Sequence, residues 1–356
     1  MFLSDFDFDL PPELIAQTAV EPRDSSRLLA FDRDSQNAEH RSFRDLPELL
    51  QAGDVLVLNN TKVLPARLST TEGREVFLVK KVKSPPTPLY QRGEASPAGE
   101  QGDLEVWECM VRGGKFFQPG ARFEIGEDLS GEVLEILADG ERVIRFTSTD
   151  FAAALDKYGA TPLPPYIEQT ERTVDRYQTV YSKEEKKDSV AAPTAGLHFT
   201  PELFEQLKEK GVQMEEVTLA VGLGTFLPVK VEKITEHEMH TEFYELPTAT
   251  AERINAAKKE GRRVIAVGTT SCRVLESCAD ADGVLQAGVG ETDIFIYPGY
   301  SFKILDGLIT NFHLPKSTLL MLVSALIGRE KCLELYETAI KEKYRFYSFG
   351  DAMLLL

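Results

Sequence analysis

Two histidines stand where the chain must change direction. His198 lies in Pro193-Thr194-Ala195-Gly196-Leu197-His198-Phe199, immediately ahead of Thr200-Pro201, which reads as the N-cap and first residue of a helix. The positive end of that helix disfavours an imidazolium, so His198 is expected to be neutral near pH 7, the state a general base requires. Plain packing is the competing role, since a lone histidine is more often structural. His313, in Asn311-Phe312-His313-Leu314-Pro315, occupies a second polar kink before an apolar helix and carries the same two readings.

Other polar clusters close apolar strands. Val267-Gly268-Thr269-Thr270-Ser271 ends one strand and opens a helix, where free N–H groups and hydroxyls form a seat for a carboxylate or phosphate. Ordinary N-capping by Thr269 or Thr270 is the alternative. Asn59-Asn60-Thr61-Lys62 closes another strand ahead of Pro65-Ala66-Arg67, where turn chemistry competes with a place at a ligand crevice. The stretch Gly222-Leu223-Gly224-Thr225-Phe226-Leu227-Pro228 lacks the third glycine of a dinucleotide fingerprint, and Pro228 stands where a helix should run. A tight turn or a close backbone approach explains it better. His237 and His240 are three residues apart without the HExxH order of zinc proteases, so no metal is expected there.

The elements that must position these groups are legible in outline. Residues 11–17 predict a short helix, 27–32 a strand, 43–50 a helix and 54–58 a strand whose apolar run 55–58 suits burial on both faces, together a βαβ-like opening. From 68 to 146 short β-rich runs (76–79, 106–111, 122–125, 133–136, 143–146) alternate with glycine turns, the pattern of a small antiparallel barrel or sandwich. Within it, residues 84–103 are rich in Pro, Gly, Ser and Glu and predict a disordered insertion. Beyond 150, helices are expected over 201–210, 249–260, from about 270 and over 318–327, with strands at 217–221, 264–267 and 294–296. The expected organisation is an α/β domain from residues 1–64 and 150–356, interrupted by a β domain over 65–149.

Bulk composition bounds the rest. At 356 residues the chain is long enough for two domains, and 42 % hydrophobic with 27 % charged residues is ordinary for a globular protein. No apolar run reaches the roughly 18 residues of a membrane span, and the acidic start Met1-Phe2-Leu3-Ser4-Asp5 is unlike a signal peptide. Four scattered cysteines are expected to be reduced, which points to the cytoplasm. A net charge of −17 opposes non-specific binding to nucleic acid. Basic clusters such as Lys183, Lys186 and Lys187 are expected to be solvated faces.

In order along the chain, several stretches together resemble the S-adenosylmethionine:tRNA ribosyltransferase-isomerase family of queuosine biosynthesis. They are Ser4-Asp5-Phe6-Asp7-Phe8-Asp9-Leu10-Pro11, Glu21-Pro22-Arg23-Asp24-Ser25-Ser26-Arg27-Leu28 and residues 53–68, 192–200, 224–229, 237–242, 267–271, 299–300, 310–320 and 344–354. Two departures stand out: the family usually has histidine where Ala220 stands and a small residue where Leu223 stands. The resemblance implies a layered α/β/α domain plus a barrel-like β domain. It also implies S-adenosylmethionine as co-substrate, no metal, and a partner tRNA with a G-U-N anticodon bearing 7-aminomethyl-7-deazaguanine at the wobble position. Ribosyl transfer to the aminomethyl nitrogen would give epoxyqueuosine, with adenine and methionine released. On that expectation His198 removes a C5′ proton acidified by the sulfonium, and His313 or a nearby protonated group assists departure of adenine. Thr269, Thr270 and Ser271 hold the methionine carboxylate or a tRNA phosphate, and Arg23, Lys62 and Arg67 contact the anticodon stem-loop. Asn59, Asn60, Thr194, Gly222, Gly224, Thr225 and Asn311 complete the expected substrate-binding set, on a monomer. A non-catalytic RNA-binding module and an enzyme acting on a free small molecule are the alternatives.

Overall fold

The protein is described from a computed structural model, over residues 1–82, 103–138, 140–164, 166–168, 170–222, 224 and 228–356. Most of the expected insertion at 84–103 lies outside these residues, as does Thr225. The chain forms two compact units, Met1–Lys62 with Leu163–Leu356, and Val63–Pro162.

In the first unit, the chain ends contribute β1 (Arg27–Asp32), β2 (Asn37–Ser42), the short helix α1 (Leu46–Leu49) and β3 (Val55–Asn59). The second unit contains β4 (Arg67–Ser69), β5 (Glu75–Lys81), β6 (Asp103–Val111), β7 (Arg122–Gly126), β8 (Leu129–Ile136), β9 (Arg142–Ser148) and α2 (Phe151–Tyr158). The first unit resumes with α3 (Glu171–Arg176), α4 (Pro201–Glu209), β10 (Gln213–Leu219), β11 (Glu242–Leu246), α5 (Thr248–Lys259) and β12 (Val264–Val267). It ends with α6 (Gly268–Cys278), β13 (Gly288–Thr292), β14 (Gly307–Asn311), α7 (Thr318–Ile327), α8 (Arg329–Lys341) and β15 (Ala352–Leu355).

Among the described residues the first unit's sheet runs β13-β11-β10-β3-β12-β14-β15-β1-β2. Its centre, β10-β3-β12-β14, is parallel, which accounts for the unbroken apolar runs at 55–58 in β3 and 264–267 in β12. Alternate side chains enter two separate cores. Val55, Val57, Val264, Ala266, Leu308 and Met353 join α5, α6, α7 and α8 on one face. Leu56, Leu58, Ile265, Val267, Ile309 and Leu354 meet α4 on the other. The period-two pleat thus makes each strand serve both faces. α4 has Thr200 as N-cap, accepting from Leu203 N at 3.1 Å, with Pro201 at its first position, as its sequence predicts.

Three expectations fail here. The opening is not βαβ: β1 pairs with β2 antiparallel and with β15 parallel, while β3 lies between β10 and β12. The strand Asn-Ala-Glu-His-Arg-Ser at the sheet edge carries no apolar alternation, so periodicity could not reveal it. Residues 11–17 hold only a 3-10 turn, Pro12–Leu14, because so few residues cannot sustain a nucleated α-helix. Ile294-Phe295-Ile296 is not a strand; β13 precedes it, and these side chains pack as a loop.

The second unit is an antiparallel, barrel-like sheet in the order β4-β5-β6-β9-β8-β7. Register shifts at Leu78/Lys80, Glu124/Gly126 and Val133/Glu135 bend its strands, the local effect of β-bulges. Phe123, Val133, Ile144, Phe146 and Phe151 fill its interior. No helix among the described residues is long and apolar enough to cross a membrane. All four cysteines are free and buried.

Candidate active site

One end of the first unit's sheet gathers most of the polar residues singled out above. The register places Asn59 beside Val217, Val267 beside Leu58 and Ile309, and Asn311 beside Ala352, which in turn neighbours Leu28. The carboxyl ends of the parallel strands and the start of β1 therefore share an edge, the place where open α/β sheets leave a crevice. A 3-10 turn, Thr194–His198, packs there against β14, α6 and the turn Arg23–Ser25.

His198 is the centre of this arrangement. Its Nδ1 lies 2.8 Å from Ser26 Oγ and its Nε2 lies 3.3 Å from Asn311 Oδ1. Asn311 Nδ2 donates to Tyr347 O at 2.9 Å and Ser348 O at 3.3 Å, which turns Oδ1 toward the imidazole. Nε2 must then carry the proton and Nδ1 accept from the Ser26 hydroxyl, a tautomer assigned from the network. The ring stacks on Phe43 with centroids 4.9 Å apart. Burial lowers its pKa to about 4; Asn311 opposes that shift, and the charges of Arg345, Arg176 and Arg23 add to it. His198 is neutral as expected, but through desolvation rather than a helix dipole.

The surrounding arginines are tied to the backbone. Arg23 donates to Gln178 O at 2.7 Å and Leu197 O at 3.4 Å, so it braces the His198 turn. Burial, then Arg176, lowers its pKa. Arg176 pairs with Glu21 at 2.7 Å. Thr194 is half-buried at the start of the turn.

His313 sits beyond the end of β14. Its Nε2 lies 2.8 Å from Thr310 Oγ1, its backbone N donates to Tyr336 Oη at 3.0 Å, and burial lowers its pKa to about 3. It holds no proton to release at neutral pH.

The asparagine pair is fully occupied. Asn59 Oδ1 accepts from Leu219 N at 3.0 Å and Thr61 N at 3.2 Å, while Nδ2 donates to Leu219 O at 3.2 Å. Asn60 donates to Glu216 at 3.0 Å and accepts from Thr218 Oγ1 at 2.8 Å. These amides splice β3 to β10. Lys62 pairs with Glu184. Arg67 belongs to the second unit, where its Nε lies 3.6 Å from Glu75.

Neither Thr269 nor Thr270 caps α6: the N-cap is Val267, with no side-chain cap hydrogen bond. Gly268 adopts φ +85° to make the abrupt strand-to-helix turn, which displaces both hydroxyls from the capping position. Thr270 Oγ1 and Ser271 Oγ are buried without hydrogen-bond partners among the described residues. Gly222 N donates to Glu242 Oε1 at 3.0 Å. A Cβ on Gly224 would fall 2.4 Å from His240 Cδ2, so close approach explains that glycine. His237 and His240 line a recess with Glu242 and Arg273.

Sequence reasoning missed Ser26, Arg176, Arg273, Glu242 and Arg345 as site residues. Ser26 lies 172 positions from the histidine it touches, and no local pattern encodes such a pairing. Ser26, Glu242 and Arg345 do fall inside the stretches that carry the family resemblance, which is the signal that could have found them.

A family model described as a queuosine biosynthesis protein matches residues 3–355. Among curated relatives, the S-adenosylmethionine:tRNA ribosyltransferase-isomerases of Desulfitobacterium hafniense and Acetivibrio thermocellus are 55 % and 51 % identical, with both chains covered in full in each case. The crystal structure of an S-adenosylmethionine tRNA ribosyltransferase from Thermotoga maritima is 40 % identical, with a TM-score of 0.54, over 99 % of this chain and 100 % of that one. On a match that runs nearly from end to end, this chain belongs to the queuosine biosynthesis protein family.

Proposed function

We propose that this chain is a transferase that moves the ribosyl group of S-adenosylmethionine onto 7-aminomethyl-7-deazaguanine at the wobble position of tRNA and isomerises it. The product is epoxyqueuosine-tRNA, with adenine and methionine released. The full-length identity to the Desulfitobacterium hafniense enzyme carries this reading. The first unit is a three-layer α/β/α domain in this reading, supported by apolar cores on alternate residues of each central strand. Substrate tRNAs bear a G-U-N anticodon, met by Arg23, Lys62 and Arg67. The protein works as a cytoplasmic monomer; its free, buried cysteines suit a reducing compartment.

The neutral His198 supplies the base. Its Nδ1 is occupied by Ser26, so the proton travels through that hydroxyl: Ser26 gives its proton to Nδ1 while its oxygen takes the C5′ proton. The carbon is left as a sulfonium-stabilised carbanion. Asn311 Oδ1 then steadies the imidazolium through Nε2–H. That imidazolium is the proton source for departing adenine, because His313 is held neutral. His313 positions Thr310 and the end of β14. Asn59, Asn60, Thr194, Gly222 and Gly224 shape the sheet-edge crevice.

Incubation with S-adenosylmethionine, with and without precursor tRNA, tests the reading by adenine release. Adenine formed only with the tRNA is expected. Adenine formed equally without it would favour a small-molecule enzyme, which the net charge of −17 suits better. No adenine in either case would favour a binding module.

A further inference from the structure

Apart from the His198 cluster, the first unit contains a recess built around a buried ion pair. Arg273, on α6, is 7 % exposed and donates through Nη1 to the carboxylate of Glu242, on β11. The other edge of the same guanidinium, Nε and Nη2, is buried and has no hydrogen-bond partner among the described residues. Unmet buried donors are costly, and a charged one more so. Two on one planar edge form the fork that receives a carboxylate side-on.

The recess lined by these groups has a cavity volume of about 40 Å³ and opens to solvent. Thr318 and Leu319 also line it. They begin α7, whose first turn presents backbone N–H groups and the positive end of the helix dipole. Met239, Phe295 and Leu322 give it apolar walls, and His237 and His240 add two imidazoles.

We propose that this recess holds the amino-acid end of S-adenosylmethionine, with its carboxylate on the Nε–Nη2 edge of Arg273. The inference rests on the functional reading above and moves the carboxylate from the hydroxyls of Thr269, Thr270 and Ser271 to this guanidinium. Glu242 and the imidazoles offer acceptors to the α-ammonium. The apolar walls suit the methylene chain. Glu242 at the same site opposes a phosphate dianion and favours a zwitterion.

Calorimetric titration of the full chain with three probes decides the matter. They are S-adenosylmethionine, its decarboxylated analogue, and 5′-methylthioadenosine, which lacks the amino-acid tail. The decarboxylated analogue is expected to bind about tenfold or more weakly than S-adenosylmethionine, the loss of a charge-assisted contact. Arg273→Lys should weaken S-adenosylmethionine by about the same factor and leave the other two probes unchanged, because one ammonium cannot replace the fork. Equal weakening of all three, or none, overturns the assignment. Should Arg273→Lys fail to fold, the wild-type comparison decides alone, and equal affinity for S-adenosylmethionine and its decarboxylated analogue overturns it. Tight binding of S-adenosylmethionine without adenine release on any tRNA would instead overturn the functional reading.

Discussion

His198 is a buried imidazole that its surroundings keep neutral, the state the proposed base requires. Its two nitrogens are committed to Ser26 and Asn311, so removing either neighbour should alter the chemistry without moving the ring far. His198→Ala is expected to lower turnover of precursor tRNA by about 10²–10⁴-fold, the usual contribution of a positioned acid–base group. Ser26→Ala should share most of that loss in kcat while leaving KM for tRNA unchanged; normal kcat would reduce the pair to a packing contact. The same burial links His198 to acid stability. The folded state holds its pKa near 4 against an ordinary 6.5, so between those values the unfolded chain binds more protons and stability falls as pH falls. The loss should reach about 3 kcal/mol at the acid end, as an order of magnitude. Urea unfolding at pH 7 and pH 4.5 checks it: His198→Asn should flatten the decline, and an equally steep decline in the variant would refute the linkage.

Among the elements, the turn from β12 into α6 bears the strictest local requirement. Gly268 sits at φ +85°, and a Cβ there would find ordinary contacts at 3.5 Å or more, so only backbone conformation resists substitution. Gly268→Ala is expected to destabilise the fold by about 1–2 kcal/mol, the cost of a left-handed residue. Thr200→Ala should cost about 1 kcal/mol by uncapping α4. Chemical denaturation measures both, and a neutral Gly268→Ala would mean the turn relaxes. These two features differ in legibility. The Thr200-Pro201 start was readable because capping is a local code. Strand β2 was not, since an edge strand needs only a partner's backbone, and that partner, β1, supplies it regardless of side-chain pattern.

For the molecule as a whole, the basic clusters that might have formed an RNA-binding face are largely neutralised from within. Lys183 pairs with Glu216, Lys186 with Glu245 and Lys187 with Glu184, while Arg263 is bound to Asp54. Surface pairs of this kind contribute little stability, yet they cancel the field that draws a polyanion. If tRNA is held chiefly through Arg23, Lys62 and Arg67, with Lys62 exchanging Glu184 and Arg67 exchanging Glu75 for phosphate, log K against log salt should have a slope of about −2 to −3, from roughly 0.7–0.9 counterions per contact. Filter binding between low and moderate salt provides the slope. A value of about −6 or steeper would require an extended cationic surface that the pairing pattern opposes.

The sequence by itself determined the strands β3 and β12, the start of α4, the buried helix α7 and the family, because each is written in local periodicity, capping chemistry or ordered motifs. It also placed His198, Asn311 and Thr269–Ser271 at element ends, where strands and helices leave polar groups unpaired. Only the tertiary structure decided which of those groups meet. It joined Ser26 and Asn311 to His198 and committed Asn59 and Asn60 to splicing β3 and β10. It also left one edge of Arg273 without a hydrogen-bond partner among the described residues. Such pairings span a hundred positions or more, as with the 172 residues between Ser26 and His198. They are settled by how two faces of a sheet are covered, and no short window of residues encodes that.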